Sequence, residues 1–129
     1  MTDTLKKKIL LVDDDSFLLN MYSLKFEKNN YEVTTASGSQ DALRKLQDGL
    51  KPDILIFDVI MPGMDGIDLL SAVRTKHLAD QAKCVMLSNQ GEPSDIERAQ
   101  KIGIDGYIVK ATSIPSEVVK VVDDILAKK

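Results

Sequence analysis

Two groups of aspartates follow short apolar segments, and their positions indicate a cation site. Asp13, Asp14 and Asp15 come directly after the apolar run ILLV. Asp58 comes directly after a second apolar run, ILIF. If both runs are neighbouring parallel strands, their carboxylates face one another at one edge of a sheet. Two unit charges about 4 Å apart repel by roughly 4 kcal/mol at an effective dielectric of 20. The pattern therefore predicts that a cation binds at this edge.

The oxygen donors of this site are those that Mg²⁺ prefers, namely one or two carboxylates together with retained waters. A metal held by carboxylates in this way commonly also binds a phosphate group. Ser88 ends another apolar run and Lys110 follows a further one, which brings a hydroxyl and an ammonium group to the same edge. Because carboxylates accept phosphoryl groups to form aspartyl phosphates, Asp58 is a candidate nucleophile. Lys110 and Ser88 would then bind the phosphoryl oxygens.

The elements that must position these side chains alternate along the chain. Each predicted strand is short and apolar, as expected of strands buried on both faces, and the five segments are 9–12, 32–35, 54–57, 84–87 and 107–109. Segments of helical periodicity separate them. Strict alternation implies right-handed crossovers and a parallel sheet covered on both faces. We therefore expect a doubly wound, five-stranded α/β fold of flavodoxin-like type with strand order 2-1-3-4-5 and a ligand crevice at the carboxyl ends of the strands.

Capping residues predict where the helices begin. We expect Asp15 or Ser16 to cap the first helix, Ser37 or Ser39 the second, and Asp65 the third. The residues that mark the first helix by their spacing are Phe17, Met21, Leu24 and Lys28.

Length and composition describe one ordinary globular domain. The 129 residues suit a single domain, and 43% are hydrophobic and 29% charged. A net charge of −3 disfavours direct nucleic-acid binding, which needs a basic face. No stretch is long and apolar enough to predict a membrane span or a signal peptide. The single Cys84 rules out an internal disulfide, and we expect it to be a small buried residue in a cytoplasmic protein.

Four motifs together carry a family resemblance. LLVDDD, DILIFDVIMPGMDG, VMLSN and GYIVK resemble, in their order and at matching intervals, the receiver domain of bacterial response regulators along essentially the whole chain. The resemblance implies a single receiver domain over 1–129, either stand-alone or excised from a longer regulator. It implies that Asp58 accepts a phosphoryl group from a sensor kinase or a histidine phosphotransfer protein. It also implies that Mg²⁺ is held by Asp13, Asp14, Asp58 and the backbone carbonyl of Ile60.

The resemblance further implies a conformational switch. Ser88 and Tyr107 match the hydroxyl and aromatic residues that move together in the family when the aspartate is phosphorylated. The surface that would change comprises the fourth helix, the fifth strand and the fifth helix. We expect a downstream partner to bind there, and homodimerisation on phosphorylation is a further expectation. Such a protein catalyses its own phosphorylation and dephosphorylation and is not an enzyme in the ordinary sense.

The chain departs from the family pattern at two positions. Ala111 follows Lys110 where the family usually has proline. Because a cis bond to a non-proline residue costs roughly 2.5–4 kcal/mol, this loop is expected to be either strained or differently shaped. Asn89 follows Ser88 where many members carry alanine, and its amide is expected to affect the lifetime of an acyl phosphate.

Three other functions stay open on the residues alone. A haloacid-dehalogenase-type phosphatase would use Asp13 as nucleophile and Asp15 as acid, although the chain lacks a cap insertion and a late acidic pair. A receiver-like interaction module that is never phosphorylated is suggested by Ala111. A flavin-binding flavodoxin is the weakest alternative, because three aspartates after the first strand would repel the phosphate of the cofactor.

Overall fold

The computed structural model describes residues 6–88, 91–110 and 115–127. The strands are β1 (Lys7–Val12), β2 (Tyr31–Ala36), β3 (Ile54–Asp58), β4 (Lys83–Ser88) and β5 (Gly106–Val109). The helices are α1 (Ser16–Lys28), α2 (Ser39–Gln47), α3 (Gly66–Thr75), α4 (Pro93–Ile102) and α5 (Pro115–Ala127). No helix within these ranges is long and apolar enough to cross a bilayer.

The five strands form one sheet in the order β2-β1-β3-β4-β5, and every neighbouring pair is parallel. The predicted fold and strand order are confirmed. The strands are slightly longer than the apolar runs, because polar residues extend the ladders at their ends. Lys7 pairs with Tyr31, and Lys83 pairs with Ile54. Hydrophobicity alone does not detect such residues, since their backbone bonds to the sheet while their side chains reach solvent.

Two apolar clusters cover the two faces of the sheet. Along β1, Leu10 and Val12 belong to one cluster while Ile9 and Leu11 belong to the other, as the two-residue repeat of a strand requires. The first cluster includes residues of α2, α3 and α4, and the second includes residues of α1 and α5. Cys84 is buried in the first cluster, as predicted. Burial raises the pKa of its thiol to about 12, so the thiol is unreactive near neutral pH.

Helix α1 begins where predicted but buries a different face from the one its marker residues define. Asp15 is the N-cap, and its carboxylate accepts hydrogen bonds from the first backbone amides of the helix. The buried residues are Leu19, Tyr22 and Phe26. Phe17 is 72% exposed and Leu24 is 59% exposed. The spacing of the marker residues therefore predicts the helix correctly. The residues that pack against the sheet, however, lie on a neighbouring face of the helix.

The prediction that Ser37 or Ser39 caps α2 is wrong. The N-cap is Gly38, whose φ of +150° favours glycine, and no side chain caps the helix. Ser39 is the first helical residue, and its hydroxyl donates to the carbonyl of Met64 at 2.7 Å. The backbone N–H of Ser37 donates to Asp41 at 3.2 Å. Ser39 is thus engaged in a contact that only the tertiary fold provides, whereas the backbone of Ser37 bonds locally to the first turn of α2.

Candidate functional site

The carboxyl edge of the sheet brings three aspartates together. One oxygen each of Asp13, Asp14 and Asp58 lies within 4.8 Å of the others. Val12 pairs with Phe57 in the register of β1 and β3, so the acidic residues that follow on the two strands are neighbours. Asp13 is 3% exposed and Asp58 is 7% exposed, whereas Asp14 is exposed to solvent. The juxtaposition expected from the two apolar runs is therefore present.

Lys110 places its ammonium group between two of these carboxylates. Its Nζ lies 2.9 Å from Oδ2 of Asp13 and 3.6 Å from Oδ2 of Asp58. The other oxygen of Asp13 accepts a hydrogen bond from the backbone N–H of Asp15 at 3.0 Å. Contacts at both of its oxygens thus fix the orientation of the Asp13 carboxylate. The buried ammonium group of Lys110 is shared between the buried carboxylates of Asp13 and Asp58. Because a single positive charge is left against three negative ones, the site retains an affinity for a further cation.

Asp58 is the carboxyl group whose protonation the site perturbs most clearly. Burial raises the pKa of Asp58 to about 6. The charge of Lys110 lowers it, the charge and hydrogen bond of Asp13 raise it, and a hydrogen bond from the backbone of Ile60 lowers it. The ionised carboxylate of Asp58 is poorly solvated in this setting. A bound cation, or a group esterified to the carboxylate, would therefore relieve an unfavourable buried charge.

The loop after β3 folds back onto Asp58 and depends on a glycine that the motif reading did not single out. Gly66 donates its backbone N–H to the carbonyl of Val59 at 2.8 Å. A Cβ at Gly66 would lie 2.1 Å from the carbonyl oxygen of Asp58, which is far inside van der Waals contact. A glycine at the first position of a helix, directly after a capping aspartate, was the available signal. Ile60 lies in the same loop with a 58% exposed side chain, and the role of its carbonyl as a metal ligand stays a prediction.

Ser88 and Tyr107 are in contact at the end of the same edge. Ser88 is buried at the end of β4, and Met86 pairs with Tyr107 across β4 and β5. Burial raises the pKa of the half-buried Tyr107, while a side-chain hydrogen bond with Ser88 lowers it. The two residues assigned to the switch by resemblance therefore form a hydrogen-bonded pair next to the acidic cluster. Their movement stays a prediction.

Tyr22 is a residue near the site that sequence reasoning missed. It lies on the buried face of α1. Its pKa is raised by burial, lowered by the charge of Lys110 and raised by that of Asp13, so its hydroxyl senses both charges. The available signal was a polar group on an otherwise apolar helix face. Two other predicted features, Asn89 and the bond between Lys110 and Ala111, lie outside the described residues.

The donor set fits Mg²⁺. Hard carboxylate oxygens come from three residues, and the exposure of Asp14 leaves room for the waters that this ion retains. Softer ligands are lacking, since the cluster contains neither histidine nor cysteine.

Most of the chain matches a single family model, and known proteins are similar to it in sequence. The family model described as the response regulator receiver domain matches residues 9–123. The alkaline phosphatase synthesis transcriptional regulatory protein PhoP of Bacillus subtilis is 34% identical over 114 residues, covering 88% of this chain and 46% of its own length. The transcriptional regulatory protein CpxR of Escherichia coli K12 is 37% identical over 103 residues, covering 80% and 42%. The chain thus spans about half the length of these relatives.

Solved structures match the fold over nearly its full extent. The Vibrio cholerae chemotaxis protein CheY4 superposes with a TM-score of 0.86 at 30% identity, covering 94% of this chain and 99% of that one. A CheY-like response regulator receiver domain protein from Methanospirillum hungatei gives 0.85 at 26% identity, covering 95% and 94%.

Proposed function

This chain belongs to the response regulator receiver domain family, and on that premise we propose that Asp58 accepts a phosphoryl group from a phosphohistidine. The observation that carries the proposal is the convergence of Asp13, Asp14 and Asp58 within 4.8 Å, with Lys110 bridging two of them. Phosphoryl transfer needs little from a protein beyond positioning and charge, and this cluster supplies both.

The chemistry follows from the roles of these side chains. An oxygen of the ionised Asp58 attacks phosphorus, the P–N bond of the phosphohistidine breaks, and its electron pair returns to the imidazole ring. Mg²⁺ held by Asp13, Asp14, Asp58 and the Ile60 carbonyl would neutralise charge on the transferring oxygens. Lys110, whose Nζ lies 3.6 Å from Asp58, would bind another of these oxygens as a point charge. With a pKa of about 6, Asp58 is mostly ionised at neutral pH, as a nucleophile must be.

The partners and the output follow from the same proposal. The donor is a sensor histidine kinase or a histidine phosphotransfer protein, in the cytoplasm. A dianionic group on Asp58 would draw the Ser88 hydroxyl toward it and release Tyr107 from its present hydrogen bond. The surface formed by α4, β5 and α5 would then change, which would alter the binding of a downstream partner or favour a homodimer. The domain itself is proposed to act as one unit, alone or within a longer regulator.

The proposal is tested by labelling with a small phosphodonor. The wild type incubated with Mg²⁺ and acetyl phosphate should gain the mass of one phosphoryl group, and Asp58→Asn should gain none. Asp48→Asn is the matched control, because Asp48 is an exposed aspartate at the end of α2. Equal labelling of the wild type and Asp58→Asn would refute the proposal.

The labelling experiment also separates this proposal from the interaction module that is never phosphorylated. Such a module belongs to the same family and would still bind Mg²⁺ through the aspartates. A protein whose melting temperature rises with Mg²⁺ but which takes up no label would be that module.

A further inference from the structure

Helix α4 is weakly held by apolar contacts. Of its ten residues only Ala99 is buried, while Ile96 and Ile102 are half-buried. Helix α3, of the same length, buries five residues. Because the burial of apolar side chains supplies most of the stability of a docked helix, α4 needs another interaction to fix its position.

Arg98 provides that interaction. One of its Nη atoms lies 3.5 Å from Asp65 and 3.4 Å from Asp95, and the other lies 3.2 Å from Asp68. Asp65 and Asp68 belong to the start of α3, whereas Asp95 lies on α4 itself. Without the guanidinium, carboxylates of the two helices would face one another and repel. Arg98 therefore turns a repulsive contact between α3 and α4 into an attractive one, and we call these four residues the Arg98 cluster.

The Arg98 cluster is connected to the acidic site through the cap of α3. One oxygen of Asp65 caps the helix by accepting the backbone N–H of Asp68 at 2.8 Å, while the other oxygen contacts Arg98. The next residue, Gly66, is packed against the backbone of Asp58 and donates to Val59. Few covalent and hydrogen bonds thus separate the proposed phosphoacceptor from the guanidinium that holds α4.

We propose that Arg98 is a positioning residue that holds α4 against α3 and so sets the free energy required to move α4 when Asp58 is phosphorylated. This inference rests on the proposed function. If phosphorylation favours a different position of α4, loosening α4 raises the population of that position in the unphosphorylated protein, and the rate of labelling at subsaturating donor rises with this population. Because Arg98 is 45% exposed at its side chain, the attraction is also screened by salt.

The test compares Arg98→Gln with Lys101→Gln in the whole chain. Both substitutions remove one positive charge from α4 and keep a good helix former. Lys101, however, contacts only Glu97 of its own helix among the ion pairs of the described residues, at 3.9 Å. Hydrogen–deuterium exchange of peptides from α4 is measured in low salt and in 0.5 M NaCl (about a 4 Å Debye length). The rate of labelling by subsaturating acetyl phosphate with Mg²⁺ is measured in parallel.

In low salt, Arg98→Gln should exchange roughly three- to tenfold faster in α4 than the wild type, and it should be labelled about two- to fivefold faster. Lys101→Gln should match the wild type in both measurements. High salt should bring wild-type exchange toward that of Arg98→Gln, and Arg98→Lys should restore part of the protection. A purely structural role would give the same salt-dependent exchange, because the ion pairs are screened in either case, but it would not produce the faster labelling.

Exchange in Arg98→Gln equal to that of Lys101→Gln would overturn the inference, and so would faster exchange without faster labelling. Absence of labelling in the wild type is a different result, because it would refute the proposed function of Asp58. In that case the exchange data alone would still decide whether Arg98 holds α4.

Discussion

Two groups of carboxylates in this protein each surround one cation, and they differ in their exposure to water. Around Lys110, the side chains of the lysine, Asp13 and Asp58 are 7%, 5% and 9% exposed. Around Arg98, the arginine side chain is 45% exposed, and the side chains of Asp68, Asp65 and Asp95 are 60%, 29% and 24% exposed. The charge pattern is similar, but water screens the second group far more effectively.

Burial is what distinguishes the proposed phosphoacceptor site from a contact that joins two helices. In the buried group, the carboxylates cannot be fully neutralised by one lysine, and the pKa of Asp58 is raised as a result of burial. That unfavourable charge is what a metal ion or a phosphoryl group can relieve. In the Arg98 cluster, water weakens the repulsion between the carboxylates, so the single guanidinium of Arg98 is enough to hold α3 and α4 together.

The largest effect is expected from Gly66→Ala. The new Cβ would lie 2.1 Å from the Asp58 carbonyl, and because that neighbour is backbone the loop must shift. We expect the free energy of unfolding, measured with urea, to fall by about 3 kcal/mol. Labelling of Asp58 should also be lost. Gly91→Ala is the control, since the one atom that its Cβ would meet among the described residues is a side-chain methyl of Val109 at 3.2 Å. A Gly66→Ala protein as stable as Gly91→Ala would contradict the packing described for this loop.

Mg²⁺ should stabilise the folded protein through the carboxylates around Lys110 and not through those of the Arg98 cluster. At about 100 times its Kd, the ion should raise the free energy of unfolding by roughly 2.7 kcal/mol, because it binds the folded cluster. Asp13→Asn should lose most of this gain, whereas Asp68→Asn, in the exposed group, should keep it. Thermal unfolding with and without Mg²⁺ gives the answer, and an equal gain in both variants would place the ion elsewhere.

The raised pKa of Asp58 predicts a pH-dependent stability without metal. Because its folded pKa of about 6 exceeds the ordinary value of 3.8, the folded state binds the proton more tightly, and this contribution to stability is lost as pH rises from about 4 to 6. In EDTA at pH 7, Asp58→Asn should therefore be more stable than the wild type by about 1–2 kcal/mol after allowance for solvent screening. The difference should vanish near pH 4. Urea titrations across this range check it, and a difference independent of pH would show that the ionisation of Asp58 is not its cause.

The smallest effect is expected in the exposed group. Arg98→Gln should lower the free energy of unfolding by about 1 kcal/mol or less in low salt, because exposed ion pairs contribute little to global stability. Lys101→Gln should change it even less. Urea unfolding at low and high salt measures both. A loss of several kcal/mol for Arg98→Gln would mean that the guanidinium is buried more deeply than its 45% exposure indicates.

Most of the fold and of the buried group could be predicted from the sequence, because both depend on local patterns. Apolar runs mark strands, and parallel strands bring the residues that follow them to one edge. The sequence therefore predicts that Asp13, Asp58 and Lys110 lie at one edge, and in the structure Lys110 contacts both carboxylates. The capping of α1 and α3 by Asp15 and Asp65 was also predictable, since it involves only neighbouring residues.

The remaining features depend on contacts that no local pattern encodes. Ser39 bonds to Met64 across two loops, and so it does not cap its own helix. The packing of Gly66 on Asp58 arises only after the loop folds back. The Arg98 cluster joins side chains from two helices, and nothing in the spacing of its residues distinguishes them from ordinary surface charges.

The proposed role of Asp58 is tested most directly by identifying the residue that carries the phosphoryl group. After incubation with Mg²⁺ and acetyl phosphate, reductive trapping with borohydride converts an aspartyl phosphate to homoserine, which peptide mass spectrometry can locate. We expect homoserine at position 58 alone, with Asp13 and Asp14 unmodified. Modification at Asp13 in place of Asp58, or no modification of any aspartate, would contradict it.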